Sequence, residues 1–475
     1  MIRILKELTS YVLILALLIM FLSAPNAIEL SRGEVVLGSA KVFGKNVVDE
    51  FGRTITLRGF NLWGNDWGYG PDSQYMKFTP AHMQQIKNWG FNFVKLVVWW
   101  TFWLEPDENA PGAYNEEFLS CMSWIIDMAW DAGLYSIVSV RVCFNPVDMP
   151  YWAGWSTHDY VVYNQVDSGG THGLERFCDL WRMLVNRFDD NPGVIGYNPW
   201  MFPYHAQEVP DGDERVDLYN TNVSPALISA IREKSNKIIF WSPVDCGARA
   251  YTDEEGYHDF GTGAYGAYPP HWNQTRVPRA WDDQNIVYMI TEYGDYEVGS
   301  NPEVVWNYDS YHIEQSLAFG KLFQDTYDVP MMSSEGPGLS IHNSEDPDHP
   351  ANTRPIRQDR LDLVVQTLNF FDDYPKNWAY WLYSGEKASY GVLENGLTLE
   401  ESAIVPILIQ HKAAILEDDL DHNGEINILD LTIVAFEFGS KLGDENWNPI
   451  ADLNADGTVN ILDIATAAKN WGKTI

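Results

Sequence analysis

The amino-acid sequence predicts an α/β protein in which a (β/α)8 barrel is followed by a small all-α module. The first observation is an alternation of short apolar runs with longer helix-period stretches between about Lys41 and Ala414. The second is that the apolar runs number eight, as a closed barrel of parallel strands requires. The third is a repeat, starting at Asp419 and again at Asp452, in the last part of the chain.

The eight predicted strands are apolar almost throughout, which is typical of parallel strands that are buried on both faces. Helix-period stretches separate them, and several end at Gly or Asn as a helix C-terminus does. A doubly wound open sheet is the alternative, but no glycine-rich dinucleotide fingerprint follows the first strand. The segment from Arg249 to Pro278 predicts a long loop between the fifth and sixth strands. The strands are TITLRGFNL, FNFVKLVVW, LYSIVSVRV, GVIGYN, KIIFWSPV, NIVYMITEY, VPMMSSE and WAYWLY, and the helices include PAHMQQIKNWG, EEFLSCMSWIIDMAWDAG, ERFCDLWRMLVNRF and SPALISAIREKS.

Charge and composition exclude some classes of partner. The chain has 66 acidic and 31 basic residues, a formal net charge of -35, which repels phosphate backbones and anionic membrane surfaces. We therefore expect no nucleic-acid partner. Its 20 Trp and 25 Tyr offer many flat apolar faces of the kind that stack on sugar rings, although most of them will be core residues.

The N-terminal segment has the pattern of a secretory signal peptide. Arg3 and Lys6 precede the apolar run YVLILALLIMFLS, and APNA then predicts cleavage after Ala27, so that residues 1–27 are removed. At about 13 residues the run is shorter than the roughly 20 that span a bilayer, although an uncleaved anchor stays an alternative. We expect a secreted, extracellular protein without a membrane span in its mature form. Its four cysteines allow up to two disulfides in three pairings, and their spacing fits no metal site.

The C-terminal repeat predicts two calcium loops. Each copy places oxygen-bearing side chains at loop positions 1, 3, 5, 9 and 12 and glycine at position 6, and a backbone carbonyl at position 7 completes the set. Acidic turns without a metal are the alternative, which the duplication disfavours. The predicted ligands are Asp419, Asp421, Asn423, Glu425, Asn427 and Asp430 in the first loop and Asp452, Asn454, Asp456, Thr458, Asn460 and Asp463 in the second, with Gly424 and Gly457 at the turns.

With Asp at position 12 of both loops, the segment 417–475 resembles a type I dockerin, a duplicated calcium module. The resemblance implies Ca²⁺ at two sites and a cohesin-like partner on a scaffold or surface protein, so that the protein would be attached to a cell surface. Two features depart from the pattern. The segment between the repeats is long, and positions 10 and 11 are the apolar residues Ile428, Leu429, Ile461 and Leu462.

The region 41–414 resembles the cellulase and mannanase barrels of glycoside hydrolase family 5. The motifs LRGFNLWG, IKNWGFNFVKLVVWW, NRFDDNPGVIGY, NIVYMITEY, VPMMSSEGPG and WAYWLY occur in the order of that family. The resemblance implies a TIM barrel that hydrolyses a β-linked polysaccharide of glucan or mannan type, by a retaining mechanism with two carboxylates. It places the nucleophile at the end of strand 7, where Glu335 stands. A structural carboxylate is the alternative role for Glu335.

The family's general acid is missing from its expected place. Its Asn-Glu-Pro motif at the end of strand 4 aligns with Met201, Phe202 and Pro203. Further family positions correspond to Lys95, Arg141 and Thr291, where the family has Arg, His and His, whereas Asn61, Tyr293 and Trp381 match. If Lys95 and Arg141 point inward, we expect them to pair with Glu335 and lower its pKa. The resemblance thus gives a substrate-binding set of Asn61, Lys95, Arg141, Phe202, Tyr293 and Trp381.

A relocated acid is a further alternative. Strand alternation turns Glu292 away from its neighbours, so the candidates are the loop residues Asp295, Glu297, His205 and Glu208. Aromatic residues at or near predicted strand ends favour a carbohydrate groove, although core packing is the commoner role for any single ring. These residues are Trp63, Trp67, Trp99, Trp100, Trp103, Trp200, Phe202, Trp378 and Trp381.

Three functions follow from these patterns. The first is a secreted glycoside hydrolase in which Glu335 is the nucleophile and the acid/base is non-standard or missing. The second is a catalytically degenerate barrel that binds carbohydrate and is tethered through its calcium module. The third is a structural spacer, which would leave Glu335 and Trp381 unexplained.

Overall fold

The structure is a computed structural model that describes most of the barrel strands and the C-terminal repeats. The described residues form two compact units. One comprises Ser39–Val47 and Thr56–Ala414, and the other contains Val48–Ile55 and Ile415–Ile475. The predicted domain limits of 41–414 and 417–475 stay a prediction. The described residues are 39–50, 52–63, 78–105, 112–141, 173–201, 203, 219–242, 250–252, 258–260, 283–290, 310–336, 358–380, 384–385, 393–394, 403–413, 415–416, 418–421, 423–441, 444, 448–454 and 457–474.

Eight parallel strands close into a barrel, which confirms the predicted fold. Each described strand overlaps a run that the sequence predicts, although the strands Arg58–Trp63 and Asn377–Tyr380 each extend one residue beyond it. The strands neighbour one another in chain order around the barrel. The strands are β1 (Arg58–Trp63), β2 (Phe93–Trp99), β3 (Tyr135–Arg141), β4 (Val194–Asn198), β5 (Ile238–Trp241), β6 (Ile286–Ile290), β7 (Met331–Ser333) and β8 (Asn377–Tyr380).

The strand register decides which side chains meet inside the barrel. Asn61 on β1 lies opposite Lys95 on β2, and Trp99 at the end of β2 lies opposite Arg141 at the end of β3. Glycine is required where neighbouring strands approach most closely. A Cβ atom at Gly59 would lie 1.9 Å from the carbonyl oxygen of Phe93.

Helices pack around the barrel and bury its outer surface. Apolar faces of these helices and the outward residues of the strands form one continuous core. Asn115 caps one helix, since its side chain accepts a hydrogen bond of 3.1 Å from the backbone nitrogen of Phe118. The helices are α1 (Pro80–Asn88), α2 (Glu116–Asp131), α3 (Gly173–Phe188), α4 (Ser224–Arg232), α5 (Ser310–Tyr327), α6 (Gln358–Asp373) and α7 (Val405–Leu408), with π-helical turns at Trp100–Leu104 and Tyr219–Val223 and a 3-10 turn at Ile409–His411.

Several short strands lie outside the barrel. Within the predicted loop between β5 and β6, two of them pair antiparallel as a small ribbon, Ala250–Thr252 with His258–Phe260. The rest of that loop lies outside the described residues. The remaining short strands are Ala40–Phe43, Asn46–Asp49, Thr54–Ile55, Ser384–Gly385, Leu393–Glu394 and Ile415–Leu416.

The C-terminal unit is built from the two repeats, as the sequence predicts. Each repeat contributes one helix after its loop, α8 (Ile428–Phe436) and α9 (Ile461–Lys469), and a 3-10 turn at Pro449–Ala451 precedes the second loop. The two helices pack through a small apolar core. Its residues are Leu420, Leu431, Val434, Ala451, Val459, Ile464 and Ala467.

The signal-peptide prediction for residues 1–27 lies outside the described part of the chain. None of the described helices combines the length and apolar character needed to cross a bilayer. Cys121 and Cys178 are both buried, and burial is the main reason that the pKa of Cys178 rises to about 11. Cys143 and Cys246 lie outside the described ranges, so the disulfide pairings that the sequence allows stay a prediction.

Candidate active site

Glu335 lies at the carboxyl end of β7, where the chain leaves the barrel. The backbone on either side of it is fixed by hydrogen bonds. Ser334 donates its backbone nitrogen to the carbonyl oxygen of Ile290 on β6 at 2.6 Å, and Gly336 donates to Ser333 Oγ at 3.2 Å. The Glu335 side chain is fully buried. The predicted nucleophile therefore occupies the position at which barrel enzymes carry catalytic residues.

The Glu335 carboxylate differs from most buried carboxylates, because no described residue donates a hydrogen bond to either of its oxygens. Burial raises its pKa to about 7, although the nearby charges of Arg141 and Lys95 act in the opposite direction. The expectation that these two cations bring the pKa of Glu335 below its ordinary value is therefore wrong. Desolvation outweighs their attraction, and the carboxylate changes its charge near neutral pH.

Lys95 and Asn61 contact the residue that precedes Glu335. Lys95 Nζ donates to the carbonyl oxygen of Ser334 at 3.3 Å and to its Oγ at 3.1 Å. Asn61 Nδ2 donates to the same carbonyl oxygen at 3.1 Å. Both side chains are fully buried, so the structure brings these two predicted site residues together with Glu335.

Arg141 ends β3 and is also buried, and its charge acts on Glu335.

A buried polar network links β3, β4 and the end of β5. Ser139 Oγ donates to Asn198 Oδ1 at 2.7 Å, and Asn198 Nδ2 donates to the carbonyl oxygen of Phe240 at 2.6 Å and to Ser242 Oγ at 3.1 Å. Sequence reasoning missed this network, because its members are distant in the chain.

The end of β4 carries Met201 where the family motif has asparagine. Met201 is fully buried, and its backbone nitrogen donates to the carbonyl oxygen of Val140 at 2.8 Å. Phe202, which aligns with the family's acid, lies outside the described residues, and so do Thr291, Tyr293 and Trp381. Glu292 and the candidates for a relocated acid, Asp295, Glu297, His205 and Glu208, also lie outside them.

A second fully buried carboxylate in the barrel unit, Glu105, was not among the predicted residues. It accepts hydrogen bonds from Trp100 Nε1 at 2.6 Å, from the Gly112 backbone nitrogen at 2.6 Å and from Arg176 Nε at 2.9 Å. These partners fasten the segment after β2 to α3. Glu105 is thus a structural carboxylate.

Several of the predicted groove aromatics are core residues instead. Trp100 stacks on Phe177 with ring centroids 4.7 Å apart, and Trp103 stacks on Phe118 at 5.6 Å. Trp200 and Trp378 are fully buried as well. Trp99, beside Arg141 at the end of β2, is only partly buried. The side chains of Trp63, Trp67, Phe202 and Trp381 lie outside the described set.

The first calcium loop brings its acidic residues together. Carboxylate oxygens of Asp419, Asp421 and Asp430 lie within 4.8 Å of one another, which fits ligation of one hard cation. Gly424 adopts a φ of 86°, so it supplies the turn that other residues rarely allow. Burial and the charge of Asp421 raise the pKa of Asp430, against hydrogen bonds from three backbone nitrogens.

The second loop repeats this geometry as far as it is described. Asp463 accepts hydrogen bonds from the backbone nitrogens of Asn454 at 3.1 Å and Asn460 at 2.7 Å, as Asp430 does in the first loop. Gly457 has a φ of 82° and donates to Asp452 at 2.8 Å. Asp456 lies outside the described residues. Thr458, like Glu425 in the first loop, places a carbonyl oxygen beside the following asparagine.

The position-9 asparagines have a role that the sequence analysis did not assign to them. Asn427 Oδ1 accepts from the backbone nitrogen of Leu429 at 2.8 Å, and Asn460 Oδ1 accepts from Leu462 at 2.9 Å. Each side chain thereby caps the helix that follows its loop. In the first loop, Asn423 Nδ2 donates to Asp421 at 2.8 Å. At positions 10 and 11, Ile428, Leu429, Ile461 and Leu462 are exposed.

The comparison with protein families decides between the possible classes of barrel. The model of the cellulase family, glycosyl hydrolase family 5, matches residues 48–385. The chain belongs to glycosyl hydrolase family 5. A second family model, the dockerin type I domain, matches residues 417–470 and assigns the C-terminal unit. Both resemblances noted in the sequence are therefore confirmed. Type I dockerin domains are a family that binds calcium and cohesins.

Proteins similar to this chain include enzymes that are named for ceramide glycosides. Endoglycoceramidase I of Rhodococcus hoagii is 24% identical over 227 residues, which cover 42% of this chain and 45% of that protein. The chain thus matches less than half the length of this curated relative. The structure of endo-glycoceramidase II from Rhodococcus sp. with a cellobiose-like imidazole has a TM-score of 0.55 at 18% identity, covering 79% of this chain and 80% of that one. An endogalactoceramidase structure has a TM-score of 0.51 at 17% identity, with coverages of 74% and 76%. The structures share the barrel fold.

Proposed function

We propose that this protein is a secreted retaining glycoside hydrolase in which Glu335 is the nucleophile and no general acid stands at the family's usual position. The observation that carries the proposal is the state of Glu335. It is a fully buried carboxylate at the mouth of a family 5 barrel, and no described residue donates a hydrogen bond to it. Such an oxygen is available to attack a substrate carbon.

The chemistry follows from that geometry. A Glu335 oxygen attacks the anomeric carbon, the glycosidic C–O bond breaks, and a glycosyl ester forms on the enzyme. Water then attacks the same carbon and releases Glu335, so the anomeric configuration is retained. Because the pKa of Glu335 is about 7, the carboxylate is ionised on the alkaline side of neutrality, and glycosyl transfer should speed up as the pH rises through 7.

The missing acid limits which bonds break easily. A general acid contributes about 10²–10⁴-fold by protonating the leaving oxygen. Without one, a leaving group must depart as an anion, so substrates with acidic leaving groups should react best. We propose a β-linked glycan of glucan or mannan type as the physiological substrate. The likeness to Endoglycoceramidase I adds glycoceramide as a second substrate class to be assayed.

A leaving-group series tests the proposal. Aryl β-glycosides of falling phenol pKa should react progressively faster, whereas glucan, mannan, xylan and glycoceramide should react slowly. Azide should then accelerate turnover and yield the β-glycosyl azide, because it attacks the glycosyl ester without needing a general base. A series with no leaving-group dependence and no azide product would favour an acid/base relocated to one of the loop residues Asp295, Glu297, His205 and Glu208.

The second candidate function is a carbohydrate-binding barrel without turnover. It is favoured by Met201, which is buried where the family motif has asparagine. A mechanism-based trap separates the two functions. A 2-deoxy-2-fluoro-β-cellobiosyl or β-mannobiosyl fluoride carries a leaving group that needs no acid, so an intact nucleophile should be glycosylated by it. Glycan binding without any labelling by either fluoride would establish the binding function.

For the C-terminal domain we propose two calcium sites and a cohesin partner. The carboxylates of Asp419, Asp421 and Asp430, with the Glu425 carbonyl, would hold the first ion, and the matching residues of the second loop would hold the other. Bound calcium offsets the repulsion between these carboxylates. Calorimetric titration of the full chain should give a stoichiometry of two, and Asp419→Ala should reduce it to one.

We further propose attachment outside the cell through this domain. The exposed Ile428, Leu429, Ile461 and Leu462 stand where dockerins carry polar recognition residues, so the partner surface should be more apolar than usual. Binding to a panel of cohesins with and without calcium tests the partner. Retention of the full chain in the cytoplasm of its native cell would contradict the proposed location.

A further inference from the structure

We propose that Asn61 is a positioning residue for Glu335, acting through the backbone of Ser334. The inference rests on the proposed role of Glu335 as nucleophile. It assigns to Asn61 a task other than substrate binding, because the amide nitrogen of this side chain is committed to the protein itself.

Three carbonyl oxygens surround the amide nitrogen of Asn61. Nδ2 donates to Ser334 at 3.1 Å, to Ala379 at 3.1 Å and to Tyr380 at 3.2 Å. Carbonyl oxygens only accept hydrogen bonds, so the NH₂ group and not the amide oxygen must face them, which fixes the orientation of the amide. The side chain is fully buried, and its two donor hydrogens are shared among these acceptors. Asn61 therefore ties the residue before Glu335 to strand β8.

The Ser334 peptide is held from several directions. Its nitrogen donates to Ile290 on β6 at 2.6 Å, while its carbonyl oxygen accepts from Asn61 and from Lys95. The Glu335 carboxylate itself receives no hydrogen bond from a described residue. As far as the described residues show, its location is set through the backbone and not through a hydrogen-bonding side chain. Loss of the Asn61 contact leaves Lys95 as the one described donor to the Ser334 carbonyl, so the chain can relax where it leaves β7.

The barrel contains a matched control for this contact. Asn377 is a buried asparagine that also joins β7 to a neighbouring strand end, but at the opposite end of the barrel. Its Nδ2 donates to the Met331 carbonyl at 2.9 Å, and its Oδ1 accepts from the Leu57 nitrogen at 2.8 Å. Replacing either asparagine by alanine removes buried hydrogen bonds of the same kind. Only Asn61 lies next to the nucleophile.

The test is the rate at which the 2-fluoroglycosyl fluoride labels Glu335 in the full-length protein, measured by mass spectrometry over a range of concentrations. Asn61→Ala should lower the maximal labelling rate by about 10²-fold, because displacements of about 1 Å have effects of this size. The concentration for half-maximal labelling should change less than about threefold, because the proposed role acts through Ser334 and requires no contact between Asn61 and the glycan. Asn377→Ala should lose thermal stability but label within about threefold of wild type.

An equal loss of labelling in the two variants, or none in Asn61→Ala, would overturn the inference while leaving Glu335 as nucleophile. A parallel rise in the half-maximal concentration would also overturn it, by making Asn61 a substrate contact. If Asn61→Ala does not fold, Asn61→Ser serves as a milder variant. It should likewise lower the maximal labelling rate without a parallel change in the half-maximal concentration. If wild type itself is not labelled, the proposed function fails and the inference falls with it.

Discussion

Glu105 and Glu335 are both fully buried carboxylates of the barrel unit, yet their surroundings are opposite. Glu105 accepts hydrogen bonds from a tryptophan, a backbone nitrogen and Arg176, whereas no described residue donates to Glu335. A carboxylate with its acceptor sites filled fastens the structure. A carboxylate with open acceptor sites raises the energy of the fold and is free to react. The comparison teaches that burial alone does not identify a catalytic carboxylate, but burial without donors does select a candidate.

The strongest test of this contrast replaces each carboxylate by its isosteric amide. Glu335→Gln should lower turnover of an activated aryl glycoside by about 10³-fold or more, because the nucleophile is lost. Glu105→Gln should instead lower the free energy of unfolding by about 3 kcal/mol, since Arg176 keeps a buried charge without its partner. Turnover by the folded fraction of Glu105→Gln should stay within about threefold of the wild-type value. Steady-state kinetics and urea unfolding measure the pair, and similar losses of turnover in both variants would erase the contrast.

Restoring the family's proton donor tests whether the rest of the site is intact. Phe202→Glu combined with Met201→Asn should speed hydrolysis of an unactivated glycan by up to about 10²–10⁴-fold, since a general acid then protonates the leaving oxygen. The fluoride substrate, which needs no acid, should react at an unchanged rate.

The matched control is Met201→Asn alone, which introduces the polar group without the carboxyl. No gain in the double variant, together with an unlabelled Glu335 in wild type, would support the binding function instead.

The raised pKa of Glu335 predicts a pH dependence of stability. Its folded-state pKa of about 7 exceeds the ordinary value of 4.5, so the native state holds a proton that the unfolded state has lost. The stabilisation is complete below pH 4.5 and is lost as the pH rises through 7, a change on the order of 3 kcal/mol.

Denaturant unfolding at pH 5 and pH 8 measures this change, with Glu335→Gln as the control that lacks the group. Subtracting the free energy of unfolding of the variant from that of wild type removes the contributions of all other titrating groups. A difference between wild type and variant that is constant across these pH values would mean that Glu335 has an ordinary pKa.

The dockerin loops show a third arrangement of buried carboxylates, in which backbone nitrogens supply the donors. Asp419 and Asp430 are fully buried and accept hydrogen bonds from the loop backbone. Calcium at about 100 times its dissociation constant should stabilise the domain by about 2.7 kcal/mol per site. Differential scanning calorimetry with calcium and with a chelator measures this, and Asp452→Ala should remove part of the effect. Identical transitions in both buffers would contradict calcium binding.

What the sequence predicted well is local or periodic. The strands follow from short apolar runs, and the calcium loops follow from oxygen spacing within a dozen residues, so both need only neighbours along the chain. Glu335 was placed by its position at the end of a strand. These features can be predicted without knowledge of any long-range contact.

What the sequence could not predict depends on distant contacts. The pKa of Glu335 was expected to fall, because Lys95 and Arg141 are visible in the sequence and the degree of desolvation is not. The link from Asn61 to Ser334 and the network around Asn198 join residues from separate strands. Which aromatic rings belong to the core depends on how the helices pack against the barrel, and the sequence does not show this packing.

The most direct measurement is peptide mapping after incubation with the 2-deoxy-2-fluoro-β-cellobiosyl or β-mannobiosyl fluoride. We expect one glycosyl label, on the peptide that contains Glu335, which forms faster as the pH rises through 7 and is absent from Glu335→Gln. A label on another carboxylate, or an unlabelled protein that nevertheless binds the glycan, would contradict the claim that Glu335 is the nucleophile.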